Sequence, residues 1–240
     1  MNTPLINYRV TWEVNQEYPD MIKDWIGRTK ARRICDIGGG ANPLLDLDFV
    51  RSLGLEYTIL DISESELAKA PNVYHKKVQN IEAPDFSLAD QFDLVFSMWL
   101  AEHIRNGRQF HQNIHQMLKP AGVAIHYFPT LYALPFLINR LTPEFISAAL
   151  QNLFAPRDKF RQGKFTAHYS WCYGPTPPML GMLKSIGFEV LEFNALFGHM
   201  YYYQKVPLLR DIHRKRSEYL ACHPNPYLTS FARIVLAKAG

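Results

Sequence analysis

Short apolar runs alternate with amphipathic stretches along most of this chain, and the alternation predicts its elements. Residues Arg32 to Ile37 read as a buried strand that runs into three glycines. Pro43 to Leu53 reads as a helix, with Asn42 as its N-cap and Pro43 in the first helical position. A strand over Glu56 to Asp61 follows, then a short helix capped by Ser63, with Glu66 three residues on as a capping box. Val73 to Val78, Phe92 to Ser97 and Gly122 to Phe128 are the next strands. Between the last two, Ile104, Ile114, Met117 and Leu118 mark one face of a helix that stops at Pro120.

Strands separated by helices imply right-handed crossovers and a doubly wound, mostly parallel sheet covered on both faces. The tail breaks the rhythm. Phe188 to Phe193 and Phe231 to Ala237 are strands without a helical pattern between them, which predicts an antiparallel edge pair. Residues 130–175 and 198–228 fit no regular element. Long irregular segments in a compact domain usually carry function, and both leave from the carboxyl ends of strands, where open α/β sheets bind ligands. The whole, 1–240, reads as one domain: an N-terminal helical or lid segment (1–30), a ligand-binding half (31–129) and two substrate-facing insertions.

Composition supports a full core, with 240 residues, 48% hydrophobic and 13% aromatic. The 26 Lys and Arg against 22 Asp and Glu leave a net charge of only +4, far from the basic excess of a dedicated nucleic-acid binder. Cys35, Cys172 and Cys222 are odd in number and widely spaced, unlike a disulfide framework or a zinc site. Residues 1–20 carry Arg9, Glu13, Glu17 and Asp20, unlike a signal peptide. The most apolar run, Val123 to Ile138, is interrupted by His126, Pro129 and Pro135 and is too short to cross a bilayer. A cytoplasmic protein is the default expectation, with peripheral membrane contact left open.

The octet Asp36-Ile37-Gly38-Gly39-Gly40-Ala41-Asn42-Pro43 concentrates the chemistry. Three glycines after a strand let the backbone turn sharply and approach a ligand closely. A dinucleotide fingerprint would need glycine where Pro43 stands, and the Gly-Lys-Ser/Thr ending of a phosphate loop is absent. Asp61, ending the second of these strands, is placed to accept two hydrogen bonds from a ribose diol. Together they indicate an adenosine-type ligand without phosphates.

With these residues in order, the chain resembles the class I S-adenosylmethionine-dependent methyltransferases. ICDIGGGANP is similar to the family's first motif, YTILDIS to its second strand with the ribose-binding acid, and VQNIEAPD to its adenine-reading segment. QFDLVFSMWLAEHI resembles the fourth strand with its trailing Glu-His, and LKPAGVAIHYFP the fifth strand. The likeness covers about residues 30–130 and resumes at LKSIGFEVLEF and the last strand. It implies a Rossmann-like sheet of seven strands and S-adenosyl-L-methionine as cofactor. By the resemblance Asp36, Gly38, Gly39 and Gly40 line the methionine end, and Asp61 holds the ribose. Ile62 and Ile81 pack the adenine, Asn80 meets its edge, and Ser97, Met98 and Trp99 wall the transferred methyl. Asn42 replaces the third glycine, and asparagine tolerates the left-handed backbone such a turn asks for. Asn80 replaces the usual aspartate and keeps an acceptor oxygen.

Methyl transfer to a neutral hydroxyl requires removal of a proton, for which histidine is the best match near neutral pH. His103, His126, His168 and His199 stand at strand ends or in the irregular segments; His103, His168 and His199 are the catalytic candidates. His168 leads, because polar and aromatic residues interleave around it from Lys164 to Trp171. The resemblance leaves the acceptor open; the reading taken is a small molecule, with a hydroxyl of a metabolite, sugar or lipid-linked intermediate first. An RNA methyltransferase and a non-catalytic cofactor-binding subunit are the alternatives. His111 and His115, four apart, read as a solvated helix face with no metal. Among residues 131–138 the large apolar groups, Phe136 included, predict a lid buried on its inner side.

Overall fold

The computed structural model describes residues 4–11, 17–133, 136–137, 166–203 and 205–239. Eight strands form one sheet: β1 (Leu5–Val10), β2 (Arg33–Ile37), β3 (Glu56–Asp61), β4 (His75–Val78), β5 (Phe92–Met98), β6 (Leu118–Pro129), β7 (Phe188–Phe197) and β8 (Phe231–Lys238). Their order is β1-β7-β8-β6-β5-β2-β3-β4. Every pairing is parallel except those of β8, which runs antiparallel to both β6 and β7. The central strands are apolar on both faces, as a sheet covered on both sides requires; Ile34, Ile59, Leu94, Val95, Phe96 and Ile125 are fully buried.

The doubly wound α/β class is as the pattern of strands and helices implies. Among the described residues the strands number eight rather than seven, because the N-terminal segment expected to be helical or a lid begins with β1, paired in parallel with β7 from Leu5↔Glu192 to Val10↔Phe197. β1 thereby covers the outer side of the antiparallel pair. Helix α1 (Glu17–Thr29) follows and buries Tyr18, Ile22, Trp25 and Ile26, an i, i+4, i+7, i+8 stripe.

Further boundaries move for identifiable reasons. The helix expected over Pro43–Leu53 with Asn42 as cap is shorter: α2 is Leu47–Ser52, and the Asp46 side chain accepts from Phe49 N. Residues ahead of it are held outside the helix, since Leu44 N donates to Asp36 Oδ2 (2.9 Å) and Leu45 is buried. Ser63 does cap α3 (Glu64–Lys69), accepting from Glu66 N. Helix α4 (Gly107–Met117) is capped by Asn106 and carries His111 as a fully packed residue, 2% exposed, rather than on a solvated face. It stacks on Trp171 at 5.5 Å between ring centroids. Helix α5 (Pro177–Ile186) ends at Gly187, whose φ of 107° makes the C-cap turn. Segment 198–228 is not irregular: it holds α6 (Pro207–Cys222), sixteen residues long. Its apolar residues gave no core-facing stripe because Leu208, Ile212 and Tyr219 are exposed and Ser217 alone is buried among the described residues. Among the described residues no helix is long and apolar enough to cross a membrane.

Most of the 130–175 insertion, with Leu134, Ile138 and the charged run 157–161, lies outside the described residues. Of its apolar residues that are described, Leu131 and Phe136 are buried and Tyr132 is 44% exposed.

Tyr18 ties α1 to the sheet. Its hydroxyl lies 2.8 Å from the Ser97 carbonyl and 2.9 Å from that of Ile125, on neighbouring strands, and donates its proton to one or the other. Tyr18→Phe is expected to lower stability by about 1–2 kcal/mol in urea denaturation, since buried acceptors lose their donor.

Candidate active site

The carboxyl ends of β2, β3, β5 and β6 share one edge, and the glycine turn sits there. Gly38 (φ 79°) and Gly40 (φ 45°) take the left-handed conformation, and Asn42 does not. Asn42 is exposed, and its N–H donates to the Gly39 carbonyl at 2.9 Å. Between the two left-handed glycines, Gly39 is held by space: a Cβ there would stand 2.7 Å from Asp36 Oδ2. Asp36 is buried, accepting from Tyr57 Oη (2.7 Å) and Leu44 N (2.9 Å). Burial pushes its carboxyl up to about 6, against the two hydrogen bonds that favour the charged form. The Asp36 carboxylate is thus turned into the framework of the turn.

Asp61, half-buried, accepts from Ser63 N through Oδ1 (2.8 Å), and its Oδ2 faces Gly40, where a Cβ would stand 3.2 Å away. Next to it Ile62 is 67% exposed, an unusual position for a large aliphatic side chain. Across the edge Ile81 is buried, while Asn80 is exposed and its Oδ1 accepts from Glu82 N at 2.9 Å. Leu100 closes over Gly38, its Cδ1 3.1 Å from where a Cβ would be.

Of the strand-end residues, Ser97 is buried with its hydroxyl 2.8 Å from His126 Nδ1, inside the sheet. Met98 is half-buried. Trp99 adopts φ 55°, its N–H donating to the Tyr127 carbonyl (3.0 Å) and its ring meeting Tyr127 at 4.7 Å and Phe231 at 5.5 Å. Phe136 continues this run of rings, 5.5 Å from Phe231 and 6.4 Å from His199.

The three catalytic candidates fall into two places. His103 and His168 come together beyond β5, because Glu102 O accepts from the backbone N–H groups of His168 (2.6 Å) and Tyr169 (3.0 Å). His103 Nδ1 lies 3.1 Å from the Thr166 carbonyl. A carbonyl only accepts, so Nδ1 bears the proton and Nε2 the lone pair. His168 is the reverse case: Arg105 Nε donates to its Nε2 at 3.2 Å. His199 stands apart, at the ends of β7 and β8, with Nδ1 2.7 Å from Ser230 Oγ and its ring 3.8 Å from that of His213. Burial drives His199 down to about 2 and His213 to about 4, so both are neutral near pH 7. With Tyr132, Leu137, Phe197 and Arg216 they line a cavity of about 170 Å3. His126 is buried in the sheet and likewise pushed far down.

Sequence reasoning took Glu102 as part of a Glu-His pair without foreseeing its state. It is 6% exposed, its Oε2 has no hydrogen-bond partner among the described residues, and burial lifts its carboxyl to about 8. His103 Nε2 is 3.9 Å from Glu102 Oε1, yet burial lowers the histidine too, so the two meet as neutral groups and not as an ion pair.

Residues 35–126 match the family model described as a methyltransferase domain. No curated protein sequence matches the chain. Its fold is shared with an S-adenosylmethionine-dependent methyltransferase from Clostridium acetobutylicum (13% identity, TM-score 0.56, covering 94% of this chain and 92% of that one). One from Mesorhizobium loti is similar at 16% identity and TM-score 0.52, covering 92% and 97%. The [4+2]-cyclase SpnF shares the fold at 14% identity and TM-score 0.55, covering 98% and 89%.

The buried Glu102 makes stability depend on pH. Its folded value, about 8, lies above the ordinary 4.5, so between those values the folded state holds a proton that the unfolded chain has released. Stability therefore falls as pH rises through this window. Glu102→Gln is expected to match the parent near pH 4.5 and to exceed it by roughly 2–3 kcal/mol at pH 7, read from thermal unfolding across pH.

Proposed function

We propose that this chain, with its methyltransferase domain over residues 35–126 and its shared fold, is a class I S-adenosylmethionine-dependent methyltransferase that methylates a hydroxyl oxygen of a small molecule, with His103 taking the proton. The observation that carries the reading is the fixed tautomer of His103, which presents Nε2 as a base at the end of β5. His168 spends the corresponding nitrogen on Arg105, and a histidine held near 2, as His199 is, has too little proton affinity to serve at neutral pH.

The turn suits the cofactor. The left-handed Gly38 and Gly40 add no side chain of their own at the turn, Asp61 turns a carboxylate oxygen toward Gly40, and Ile62 offers an exposed apolar face. In this assignment Gly38, Gly39 and Gly40 bind the methionine end, with Asp36 holding the turn rather than the ligand. Asp61 takes the ribose hydroxyls, Ile62 and Ile81 flank the adenine, and Asn80 meets its edge. When bound, the cofactor supplies an activated methyl; the protein aligns the acceptor in line with it and keeps water away. Trp99, Phe231 and Phe136 provide aromatic walls leading to the cavity at His199, which favours a compact acceptor over a nucleic-acid strand. The basic run of α6 is partly compensated, Asp211 lying 3.5 Å from Arg210 and 4.0 Å from Arg214.

Asp61→Ala is expected to weaken S-adenosylmethionine by about 1.5–3 kcal/mol in calorimetry with the fold intact; unchanged affinity removes the ribose assignment. His103→Ala should cut kcat by roughly 10²–10⁴-fold on a hydroxyl acceptor found by panel screening, with cofactor affinity nearly constant. In the parent, burial lowers the His103 pKa, so kcat should fall on the acid side with its inflection below 6.5, and this limb should vanish in the variant. Retained turnover in His103→Ala, or RNA binding that drops steeply with salt, would shift the reading elsewhere.

A further inference from the structure

Helix α6 carries an apolar row on the side turned away from the rest of the molecule. Ser217 is buried, and with His213 and Leu220 it lines the cavity at His199, so these three residues mark the inner face. Leu208, Ile212, Lys215, Tyr219 and Cys222 recur at alternating fourth and third positions, which sets them in one row on the opposite side. Leu208 is 72% exposed, Ile212 56% and Tyr219 61%, and Leu209 beside them is 43% exposed. Single exposed aliphatic residues are ordinary, whereas several in one row mark an interaction surface.

The charges around this row select its occupant. From Lys205 to Glu218 the chain holds five basic side chains and two acidic ones, so this one segment supplies +3 of the net charge of +4. Asp211 answers Arg210 and Arg214, at 3.5 and 4.0 Å, while Lys215 and Arg216 make no ion pair among the described residues. By helical geometry Asp211 and Glu218 share one flank of the row, and Arg216 holds the other. Lys215 stands within the row itself. In the groove of a partner protein it would be buried with its apolar neighbours as an uncompensated ammonium. Against a second copy aligned in parallel it would face its own counterpart. At the headgroup depth of a bilayer its stem lies along the apolar surface while its ammonium reaches a lipid phosphate. Tyr219 has the same character, an apolar ring with a polar tip.

Both connections of α6 run to the ligand edge of the sheet, since the helix follows the end of β7 and precedes the start of β8. Its sixteen residues make it about 24 Å long, a rod that can lie along a bilayer surface. We propose that α6 docks this protein on an anionic phospholipid membrane. Leu208, Ile212 and Tyr219 enter the headgroup layer, Lys215 and Arg216 meet lipid phosphates, and the ligand edge is held beside the bilayer. The proposal depends neither on His103 nor on which acceptor is methylated.

Flotation of the full chain with two kinds of vesicle tests it, phosphatidylcholine alone and phosphatidylcholine mixed with phosphatidylglycerol. Binding to the mixed vesicles should be ten-fold or more stronger. Ile212→Glu should lower it at least ten-fold and Lys215→Glu at least three-fold, with S-adenosylhomocysteine affinity within two-fold of the parent, since both positions are exposed. The point of contact is read through Cys222, which is exposed while Cys35 and Cys172 are buried. A polarity-sensitive fluorophore on it should shift to the blue on the mixed vesicles only. Equal binding to both vesicle types, binding to neither, or binding that survives Ile212→Glu would overturn the proposal. Dimerisation abolished by Ile212→Glu, without vesicle binding, would assign the row to a second copy. RNA binding lost in Lys215→Glu, without vesicle binding, would assign the helix to nucleic acid. Either result overturns membrane docking. The comparison of vesicles with the parent protein decides it even where a variant does not fold.

Discussion

The buried carboxylate of Asp36 organises the ligand edge of this sheet. Its two hydrogen bonds reach in different directions, one to Tyr57 on the neighbouring strand and one to Leu44 beyond the turn. Between them the chain must double back in a few residues, and it does so through left-handed Gly38 and Gly40. Gly39 has to lack a Cβ because the same carboxylate occupies that space. The delayed start of α2 is a further consequence, since Leu44 and Leu45 are drawn toward Asp36 and the core before Asp46 can open the helix. One desolvated acid, its carboxyl lifted to about 6 by burial, therefore fixes the turn, its glycines and the helix boundary.

The strand order explains why chemistry gathers on one edge and divides into two sides. From β2 the chain moves outward through β3 and β4, then crosses back to β5 and β6, so the switch in direction lies between β2 and β5. Open α/β sheets bind ligands at such a switch point. The turn and Asp61 lie on the β2–β3 side, while Trp99, Tyr127 and Phe231 carry aromatic surface away on the β5–β6–β8 side. The antiparallel β8 matters here: its start, not its end, meets the ligand edge, which brings Phe231 beside Pro129 and Leu196.

Burial, more than chemical identity, sorts the histidines. His111 and His126 are sealed in the core, and desolvation keeps them neutral. His199 is nearly as buried and shares its cavity with His213 and with Arg216, whose positive charge opposes protonation of both rings. His103 is half-exposed and held by a carbonyl, which selects its tautomer. His111, His126 and His168 each adjoin an aromatic residue in sequence, so interleaving alone could not rank them; His168 looked best on that ground, and its nitrogen is bonded to Arg105.

The sequence by itself determined the alternating α/β core, the glycine turn, the acid at the end of β3 and the cap of α3. These follow from local spacing: apolar runs of strand length, glycines at a strand end, a hydroxyl three residues before its partner amide. What only the tertiary structure decided depends on contacts distant along the chain. β1 is a short half-buried strand that has an edge to join only once β7 is in place. Helix α6 buries too little of itself to announce a core stripe. Glu102 reads only as the acid of a Glu-His pair, and its buried state follows from the neighbours of residues 166–172 that close around it. Periodicity records what a segment does with its own two faces; the desolvation that changes a carboxyl is imposed by the elements packed against it.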